Sequence, residues 1–419
     1  MSNFMNGFTV WLRCILAKFP FIELLSKIIY INLRRTVFWC KHHRQDIVEE
    51  AFLFECFKGK MVNDSPFAIY QYLLINFSWA KFTWVLSSPT HPMYLIFKEN
   101  KNTNVVIYGT DEYFQAYATS KYWVVNCRIP YRVVKKTGQV FVQCWHGTPL
   151  KKLGFDIQMD DNAKVSKSSL RYAYSIDARK MDYFISPSPY ASRCFISGFG
   201  LKKEQILELG YPRNDALFHG SSDLDLIEKL KHSLNIAVDA TVILYAPTWR
   251  DNSFCNERQS HVLHNPLENE GFLSKFSDEV VFLYRGHYFT DLQNESSRFI
   301  DVSDYNNIND LFLISDLLIT DYSSVFFDYS LLNKPILFFM YDRNEYESKI
   351  RGVYLDLDNA LPGKISSLLS TLADDIFSAL NKTTDLSDFN KMFNPHEDGF
   401  SAQRVISAVI KKRNIDARL

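Results

Sequence analysis

Two short segments of the chain contain residue types that could do chemistry. In the first, His146 directly follows an apolar run and precedes Gly147, so the imidazole can point outward while the backbone turns away. A histidine titrates near neutral pH and can act as a general base toward a hydroxyl group. A single histidine is more often a hydrogen-bonded structural residue, but its context, Trp-His-Gly-Thr-Pro-Leu-Lys-Lys, favours catalysis.

The second segment, Asp321 to Ser324, separates a predicted strand over residues 317–320 from a predicted buried helix over 325–332. Its two serines bring hydroxyl groups and unpaired backbone N–H groups to a helix start, which is a favourable place for a phosphate. Capping of the helix by Asp321 and the serines explains the same residues equally well. Taken alone, the segment leaves both interpretations open.

Short apolar runs alternate with helical patterns along most of the chain, which predicts an α/β fold. The predicted strands are 51–57, 105–108, 139–145, 183–185, 206–209, 242–246, 280–284, 317–320 and 335–339. Helices are expected from Ser65 to Leu74 and from Thr148 onward. A charge-rich span near residues 216–240 interrupts the series, and 419 residues exceed the usual size of one core. Two successive doubly wound domains are therefore predicted.

Polar residues are concentrated directly after the predicted strands, where open parallel sheets bind their ligands. These residues are His146, Arg213, Asn214, Thr248, Trp249, Arg250, Arg285, His287, Asp321, Ser323 and Ser324. Two domains that face each other would place these loops around one cleft. The C-terminal members are suited to a diphosphate, which the two serines could bind together with His287 and either Arg285 or Arg250. Trp249 could stack on a base or simply pack.

Composition argues against several functional classes. Lys plus Arg and Asp plus Glu both number 47, so charge gives no reason to expect nucleic acid as a partner. Neither a G-x-G-x-x-G motif nor a Walker A lysine motif is present, which disfavours dinucleotide oxidoreduction and P-loop ATP hydrolysis. The seven cysteines never stand in a C-x-x-C spacing, which is typical of a reducing compartment and predicts no metal site.

Residues 1–48 form a basic segment that is rich in aromatic side chains. Arginines and lysines interrupt the apolar residues between Phe4 and Trp39, so no run approaches the roughly 18 apolar residues of a spanning helix. We also find no signal-peptide cleavage site. The pattern is typical of an amphipathic segment on an anionic membrane surface, divided by Pro20 into two helices. A helix packed on the globular body is the alternative.

Taken together, the motifs resemble the CDP-glycerol glycerophosphotransferase family. The resemblance covers roughly residues 50–375 and rests on five segments in the same order: 143–154 (QCWHGTPLKKLG), 210–215 (GYPRND), 245–250 (YAPTWR), 285–287 (RGH) and 319–325 (ITDYSSV). It implies a GT-B fold with two Rossmann-like domains. It also implies transfer of a polyol phosphate from CDP-glycerol, or a related CDP-polyol, to a lipid-linked or polymeric acceptor with release of CMP, in teichoic-acid-like or capsular polymer synthesis.

The resemblance implies roles for individual residues as well. His146 matches the family's proposed base. The positions expected near the donor pyrophosphate are His287, Asp321, Ser323, Ser324, Arg285, Arg250 and Thr248, and those expected elsewhere in the cleft are Arg213, Asn214, Trp249, Gly147 and Lys152. No cofactor or metal is expected besides the CDP-polyol donor, and the enzyme is expected peripherally at the cytoplasmic face of the cell membrane.

The expected domains are 1–48 for membrane association, 49–220 for the acceptor side, 240–375 for the donor, and 376–419 as C-terminal helices that pack back on the N-terminal domain. Two other functions stay open. A GT-B glycosyltransferase that uses a nucleotide sugar would share the fold, and fold alone does not choose the chemistry. A non-catalytic membrane-bound protein could use the same cleft to hold a polymer end.

Overall fold

Two parallel β-sheets, one of seven strands and one of six, organise the chain. The computed structural model describes residues 19–157, 166–248, 254–255, 260–261, 265–286, 298–349 and 352–411. The first sheet belongs to a unit that extends to Arg213 and also includes the described residues from Ala402 onward. The second sheet belongs to a unit that runs from Asn214 to Ser401.

The first unit alternates strands and helices. Its elements are α1 (Pro20–His42), β1 (Val48–Glu55), α2 (Asp64–Asn76), β2 (Lys81–Leu86), α3 (Met93–Glu99), β3 (Thr103–Ile107), α4 (Asp111–Thr119), β4 (Ser120–Val125), β5 (Val140–Gln143), α5 (Lys167–Lys180), β6 (Tyr183–Ser186), α6 (Pro189–Phe199) and β7 (Ile206–Glu208). The strand order is β3-β2-β1-β4-β5-β6-β7, with all neighbours parallel. Because the order reverses between β1 and β4, the carboxyl ends of β1, β4 and β5 lie beside one another at a switch point.

The second unit repeats this arrangement. Its elements are α7 (Asp215–Gly220), α8 (Leu224–Ser233), β8 (Thr241–Tyr245), β9 (Phe254–Cys255), β10 (Ser260–His261), α9 (Glu270–Leu273), β11 (Val280–Tyr284), β12 (Phe299–Asp301), α10 (Ile308–Ile314), β13 (Leu317–Thr320), α11 (Val325–Tyr329), β14 (Ile336–Phe339), α12 (Arg343–Lys349), β15 (Lys364–Ser366), α13 (Leu369–Leu380) and α14 (Ser387–Phe393). The last helix, α15 (Ser401–Lys411), begins where this unit ends and returns to the first unit. The sheet order is β12-β11-β8-β13-β14-β15, all parallel, and its switch point lies between β8 and β13.

Both faces of the first sheet are buried under helices, as expected for parallel sheets. Phe52 and Phe54 of β1 face one apolar core, whereas Leu53 between them faces the other. In β4, Val124 packs in the first core and Trp123 in the second. This burial on two sides explains why the strands appear in the sequence as continuous apolar runs.

Every strand predicted from the sequence overlaps an observed strand, and the strands over residues 280–284 and 317–320 have identical bounds. The structure also contains strands that were not predicted, namely β2, β4, β9, β10, β12 and β15. The predicted helix over residues 325–332 is α-helical only from Val325 to Tyr329 and continues as a 3-10 turn over Ser330–Leu332. The helix predicted from Thr148 is not present, because the backbone of residues 148–153 is extended or irregular.

The domain boundaries differ from those predicted. The first unit ends at Arg213, so the charge-rich span 216–240 lies inside the second unit, where it forms α7 and α8. Of the C-terminal helices, α13 and α14 belong to the second unit, and only α15 belongs largely to the first. The reason is packing: Leu372 and Ile376 of α13 are buried in the core of the second unit, whereas Val405 of α15 is buried in the core of the first.

The helix α1 packs along the first unit with one side. Ile31, Phe38 and His42 are buried, and the Glu23 carboxylate accepts a hydrogen bond from the main-chain N–H of Ser166. Pro20 is the first residue of this helix, and residues 1–18 of the predicted membrane segment lie outside the described residues. Within the described part of the chain, no helix combines the length and apolar content that a membrane span requires.

Candidate active site

His146 lies just beyond the carboxyl end of β5, beside the switch point of the first sheet. Its ring stacks on the Trp145 ring with centroids 4.2 Å apart, and the Phe57 ring lies 5.6 Å away. His146 Nδ1 is 2.9 Å from the main-chain carbonyl oxygen of Asn126, which follows β4. Three neighbouring strands, β1, β4 and β5, thus contribute the segments that hold one imidazole.

The contact with Asn126 determines which tautomer the histidine adopts. A carbonyl oxygen only accepts hydrogen bonds, so Nδ1 of His146 carries the hydrogen and Nε2 of the neutral ring has a free lone pair. The residue is exposed, yet the protein around its ring makes desolvation the largest influence on it and lowers the pKa of His146. A lowered pKa keeps Nε2 unprotonated at neutral pH, which is the state that a general base requires.

The backbone around His146 is strained. Among the residues that the structure describes, the non-glycine residues with positive φ are Phe57, Lys58, Asp64, Trp145, Asn235 and Asn333. The first four belong to the segments that contact His146 or Asn126. Left-handed backbone at such residues costs free energy and persists where the surroundings impose it, often at functional sites.

Asn126, Asp64 and Gln143 were not among the predicted site residues, and their side chains support this strained region. The Asn126 side chain accepts a hydrogen bond from the main-chain N–H of Phe57 at 3.0 Å and donates one to Asp64 Oδ2 at 2.9 Å. Gln143 accepts a hydrogen bond from the main-chain N–H of Trp145 at 2.9 Å and donates one to the Cys127 carbonyl at 3.0 Å. The sequence does indicate Asn126, because this polar residue directly follows the apolar run of β4.

Beside this site, Glu55 at the end of β1 is fully buried. Its Oε2 accepts hydrogen bonds from the Tyr117 and Tyr113 hydroxyls at 2.6 and 3.1 Å. Burial raises the pKa of Glu55 to about 7, although the two tyrosine hydrogen bonds oppose that shift. The carboxyl group is therefore poised to titrate near neutral pH.

The remaining predicted residues of the first unit lie in two places. Gly147 is buried next to His146, and Lys152 is half-buried in the irregular segment that follows. Arg213 is buried, and its Nη1 donates to Asp64 Oδ1 at 3.2 Å. The structure thus brings Arg213, which was predicted as a residue of the cleft, to the hydrogen-bond network around Asn126.

In the second unit, Asp321 connects the ends of the two strands at the switch point. Its Oδ1 accepts hydrogen bonds from the main-chain N–H groups of Thr248, after β8, and Tyr322, at 2.7 and 2.5 Å. Asp321 is buried, and carboxylate oxygens do not donate to phosphate oxygens. We therefore assign Asp321 to holding the Thr248 segment and the serine turn in place.

Ser323 and Ser324 are half-buried and precede α11. The Ser324 side chain forms no capping hydrogen bond, so capping by this serine does not account for its hydroxyl. Tyr322, between Asp321 and the serines, stacks on Tyr346 of α12 with ring centroids 3.7 Å apart. This packing fixes the backbone of the turn.

Two other predicted residues have interior hydrogen bonds within the second unit. Arg285 Nη1 donates to the carbonyl oxygens of Val302 and Tyr305 at 3.1 and 2.8 Å, and burial lowers the pKa of Arg285 to about 10. Asn214 is fully buried, and its amide donates to Asp328 Oδ1 at 3.1 Å. Trp249, Arg250 and His287 lie outside the described residues.

The chain belongs to the CDP-glycerol:poly(glycerophosphate) glycerophosphotransferase family, whose model matches residues 36–411. These are enzymes that transfer glycerol phosphate. Among individual proteins, it is 35% identical over 364 residues to a teichoic acid glycerol-phosphate transferase of Staphylococcus aureus, covering 85% of this chain and 92% of that protein. It is also 35% identical over 338 residues to a teichoic acid poly(glycerol phosphate) polymerase of Staphylococcus epidermidis, covering 80% of this chain but only 46% of the polymerase.

A solved structure gives the same result at the level of the fold. A variant of the wall teichoic acid polymerase TagF, soaked with CDPG, superimposes with a TM-score of 0.81 at 31% sequence identity. The similarity covers 95% of this chain and 98% of that chain. The two parallel sheets described above therefore have a TagF-like, GT-B-like fold.

Proposed function

We propose that this protein transfers glycerol phosphate from CDP-glycerol to a hydroxyl group of a lipid-linked or polymeric acceptor and releases CMP. The observation that carries the proposal is the geometry of His146, an exposed imidazole whose Nδ1 is held by a main-chain carbonyl and whose Nε2 is free to accept a proton. Family membership supplies the donor class, since a TagF structure was soaked with CDPG. Teichoic-acid-like polymer synthesis is the corresponding pathway class, and the two staphylococcal relatives described above support it.

The reaction we propose is one displacement at phosphorus. The acceptor oxygen attacks the β-phosphorus of CDP-glycerol and forms a phosphodiester bond, while the bond from that phosphorus to the bridging oxygen breaks and CMP leaves. The hydroxyl proton passes to Nε2 of His146 and is later released to solvent. In this scheme the first unit supplies the base and the second unit binds the donor. We propose that both units are Rossmann-like domains of a GT-B enzyme, and the strand order that their two sheets share supports this proposal.

The donor diphosphate is proposed to bind at the turn before α11. Ser323 and Ser324 supply hydroxyl donors, and the adjacent backbone supplies N–H groups. Because α11 has only five residues, direct hydrogen bonds contribute more than a helix dipole does. His287, Arg250 and Trp249 are proposed to complete this site. Since these groups can neutralise charge that develops on CMP, we propose that no metal or cofactor is needed.

The test is a donor panel with the purified full-length protein and a soluble polyol-phosphate acceptor. CDP-glycerol should give stoichiometric CMP release and a product heavier by one glycerol phosphate, with and without EDTA. CDP-ribitol tests the choice of polyol, and UDP-glucose tests the glycosyltransferase alternative. Sugar transfer from UDP-glucose without CMP release from CDP-glycerol would contradict the proposal, and binding of the polymer without any turnover would favour the non-catalytic alternative.

We also propose that α1 holds the enzyme peripherally on an anionic membrane surface at the cytoplasmic face. Every fourth residue of this helix is an exposed apolar side chain, in the series Phe21, Leu25, Ile29, Leu33 and Val37. At 100° per residue, this stripe lies opposite the buried side of the helix. Arg34 and Lys41 are exposed beside the C-terminal end of this stripe and can approach lipid phosphates.

A liposome sedimentation assay tests this placement. The Ile29→Glu and Leu33→Glu double variant should lose most binding to vesicles that contain phosphatidylglycerol, while CMP release with a soluble acceptor stays unchanged. Ile75→Glu combined with Leu224→Glu is the matched control, because both are strongly exposed apolar residues outside α1. Equal sedimentation of both double variants would contradict a membrane role for α1.

A further inference from the structure

We infer that Asn126 is a positioning residue for His146, acting through its main-chain carbonyl and through a buried hydrogen-bond network with Asp64 and Arg213. The inference rests on the proposed function, because it takes His146 as the base. Asn126 lies in none of the motifs that identify the family. It follows β4, the central strand next to the switch point, and is completely buried.

Each polar group of Asn126 has one partner. Its main-chain N–H donates to the Glu55 carbonyl at 3.3 Å, and its main-chain oxygen accepts from His146 Nδ1 at 2.9 Å. In the side chain, Oδ1 accepts from the N–H of Phe57, and Nδ2 donates to Asp64 Oδ2. The main-chain carbonyl that orients the imidazole is therefore held in place by the side chain of its own residue.

The amide of Asn126 fits this position in one orientation only. A flipped amide would place Oδ1 against the Asp64 carboxylate and the NH₂ group against the Phe57 N–H. The same amide also secures Phe57, whose ring contacts His146 from a different segment. Asn126 consequently controls two contacts of the imidazole, the hydrogen bond to Nδ1 and the packing of an aromatic neighbour.

Asp64 and Arg213 add the electrostatic part of the network. Their side chains are both buried and form an ion pair through Asp64 Oδ1 and Arg213 Nη1 at 3.2 Å. Within the described residues, these are the charged groups that act on the ring: Asp64 raises the pKa of His146 and Arg213 lowers it. The two charges act in opposite directions, and both influence the pKa of His146 less than desolvation and the hydrogen bond to the Asn126 carbonyl do.

An exchange of donor and acceptor tests the network. Asn126→Asp keeps an acceptor for Phe57 but sets a second carboxylate against Asp64, and it should lower kcat about 10- to 100-fold, because small misplacements of a catalytic group are costly. The added negative charge should also move the acid limb of the kcat/KM profile to higher pH. The double variant Asn126→Asp with Asp64→Asn restores one donor facing one acceptor at unchanged net charge. It should recover kcat to within about threefold of the wild type.

Asn394→Asp is the matched control. Asn394 is a buried asparagine of the second unit whose amide donates to the Phe327 carbonyl at 2.7 Å, so its substitution should lower the unfolding temperature without moving the pH profile. A wild-type pH profile and kcat in Asn126→Asp would overturn the inference. A folded double variant that remains as slow as the single variant would overturn it as well.

Nitrogen NMR of labelled histidine separates this inference from the proposed reaction. The wild-type His146 signal, assigned by its loss in His146→Ala, should show a protonated Nδ1 and a bare Nε2 near neutral pH, and Asn126→Asp should change the tautomer ratio. An unchanged ratio contradicts the role of Asn126 whether or not CMP is released. Absence of CMP release from the wild type, with the tautomer change observed, contradicts only the proposed reaction.

Discussion

The edge of the first sheet near His146 and the edge of the second sheet near Asp321 have the same topology but are built differently. At the first edge, the left-handed residues Phe57, Lys58, Asp64 and Trp145 lie in the segments that contact His146 or Asn126. In the second unit, the left-handed non-glycine residues among those described are Asn235 and Asn333, which follow helical segments, where asparagine commonly adopts this conformation. The second edge instead presents hydroxyl groups on a turn that Asp321 holds.

This difference corresponds to two chemical tasks. A base must be fixed in tautomer and direction, and that requires strained backbone and buried hydrogen bonds around one ring. A diphosphate site needs several accessible donors, and half-buried serines on a packed turn can supply them. We therefore expect substitutions at the first edge to change turnover and those at the second to change donor affinity.

The largest expected effect is that of His146→Ala. Loss of the general base should lower kcat about 10³-fold with little change in the KM for CDP-glycerol. In the wild type, kcat/KM should fall only below about pH 6.5, because the pKa of His146 is lowered from its ordinary value and the neutral imidazole is the active form. His232→Ala is the control, since that imidazole is exposed on α8. CMP release at the wild-type rate from His146→Ala would disprove the assignment of the base.

Gly59→Ala should have the next largest effect, on stability. Gly59 has φ of +76°, and an added Cβ would lie 2.6 Å from the main-chain carbon of Leu86. We expect a loss of about 3 kcal/mol and a fall of roughly 6 °C or more in the unfolding temperature of the first unit. Gly109→Ala, where φ is +83° but no heavy atom lies within 4 Å of the added Cβ, should cost only about 1 kcal/mol. Equal losses in the two variants would show that the turn after β1, which contains Phe57 and Gly59, is not tightly constrained.

The double substitution Ser323→Ala with Ser324→Ala tests whether the second edge determines donor affinity. Removing two hydrogen bonds to a charged ligand should raise the KM for CDP-glycerol about 10- to 100-fold and change kcat much less. Ser387→Ala, an exposed serine at the start of α14, is the control. A fall in kcat at unchanged KM would instead place these serines in the chemical step and remove the proposed division between the two edges.

The effect of Glu55→Gln should be confined to high pH. The pKa of Glu55 is about 7 in the folded state and 4.5 in the unfolded chain. The unfolded chain therefore loses the proton first as pH rises, so the free energy of unfolding is highest below pH 4.5 and falls until the pH has risen through 7. The cost at pH 8.5 is roughly 3 kcal/mol at most. Glu55→Gln should therefore raise the unfolding temperature at pH 8.5 and leave it unchanged at pH 4.5, unlike Glu50→Gln on the exposed part of β1. Equal effects at both pH values would contradict the raised pKa.

Much of the fold could be predicted from local patterns. Parallel strands buried on both faces appear as apolar runs with a turn signal after them, and the strands before His146 and Asp321 were found in this way. Among the strands that were missed, β2 and β4 follow helices with apolar faces and precede no catalytic motif, and β9, β10, β12 and β15 have only two or three residues each. Missing β4 also hid Asn126, the residue that holds His146.

Arg213 and Asn214 show that a local sequence pattern does not indicate which unit a side chain packs in. Arg213 and Asn214 were predicted together as one cleft loop, but Arg213 pairs with Asp64 in the first unit and Asn214 binds Asp328 in the second. Sequence spacing indicates that two residues are adjacent in the chain. It does not indicate which core each side chain enters.

The sequence by itself determined the α/β class, the positions of the strand ends and the residue types placed there, because these depend on local periodicity and turn chemistry. Only the tertiary structure decided which atoms meet: that His146 directs Nδ1 to Asn126, that Asp321 accepts main-chain hydrogen bonds, and that Glu55 is buried among tyrosines. Those outcomes depend on strand order and side-chain packing between segments far apart in the chain, and no local pattern encodes them.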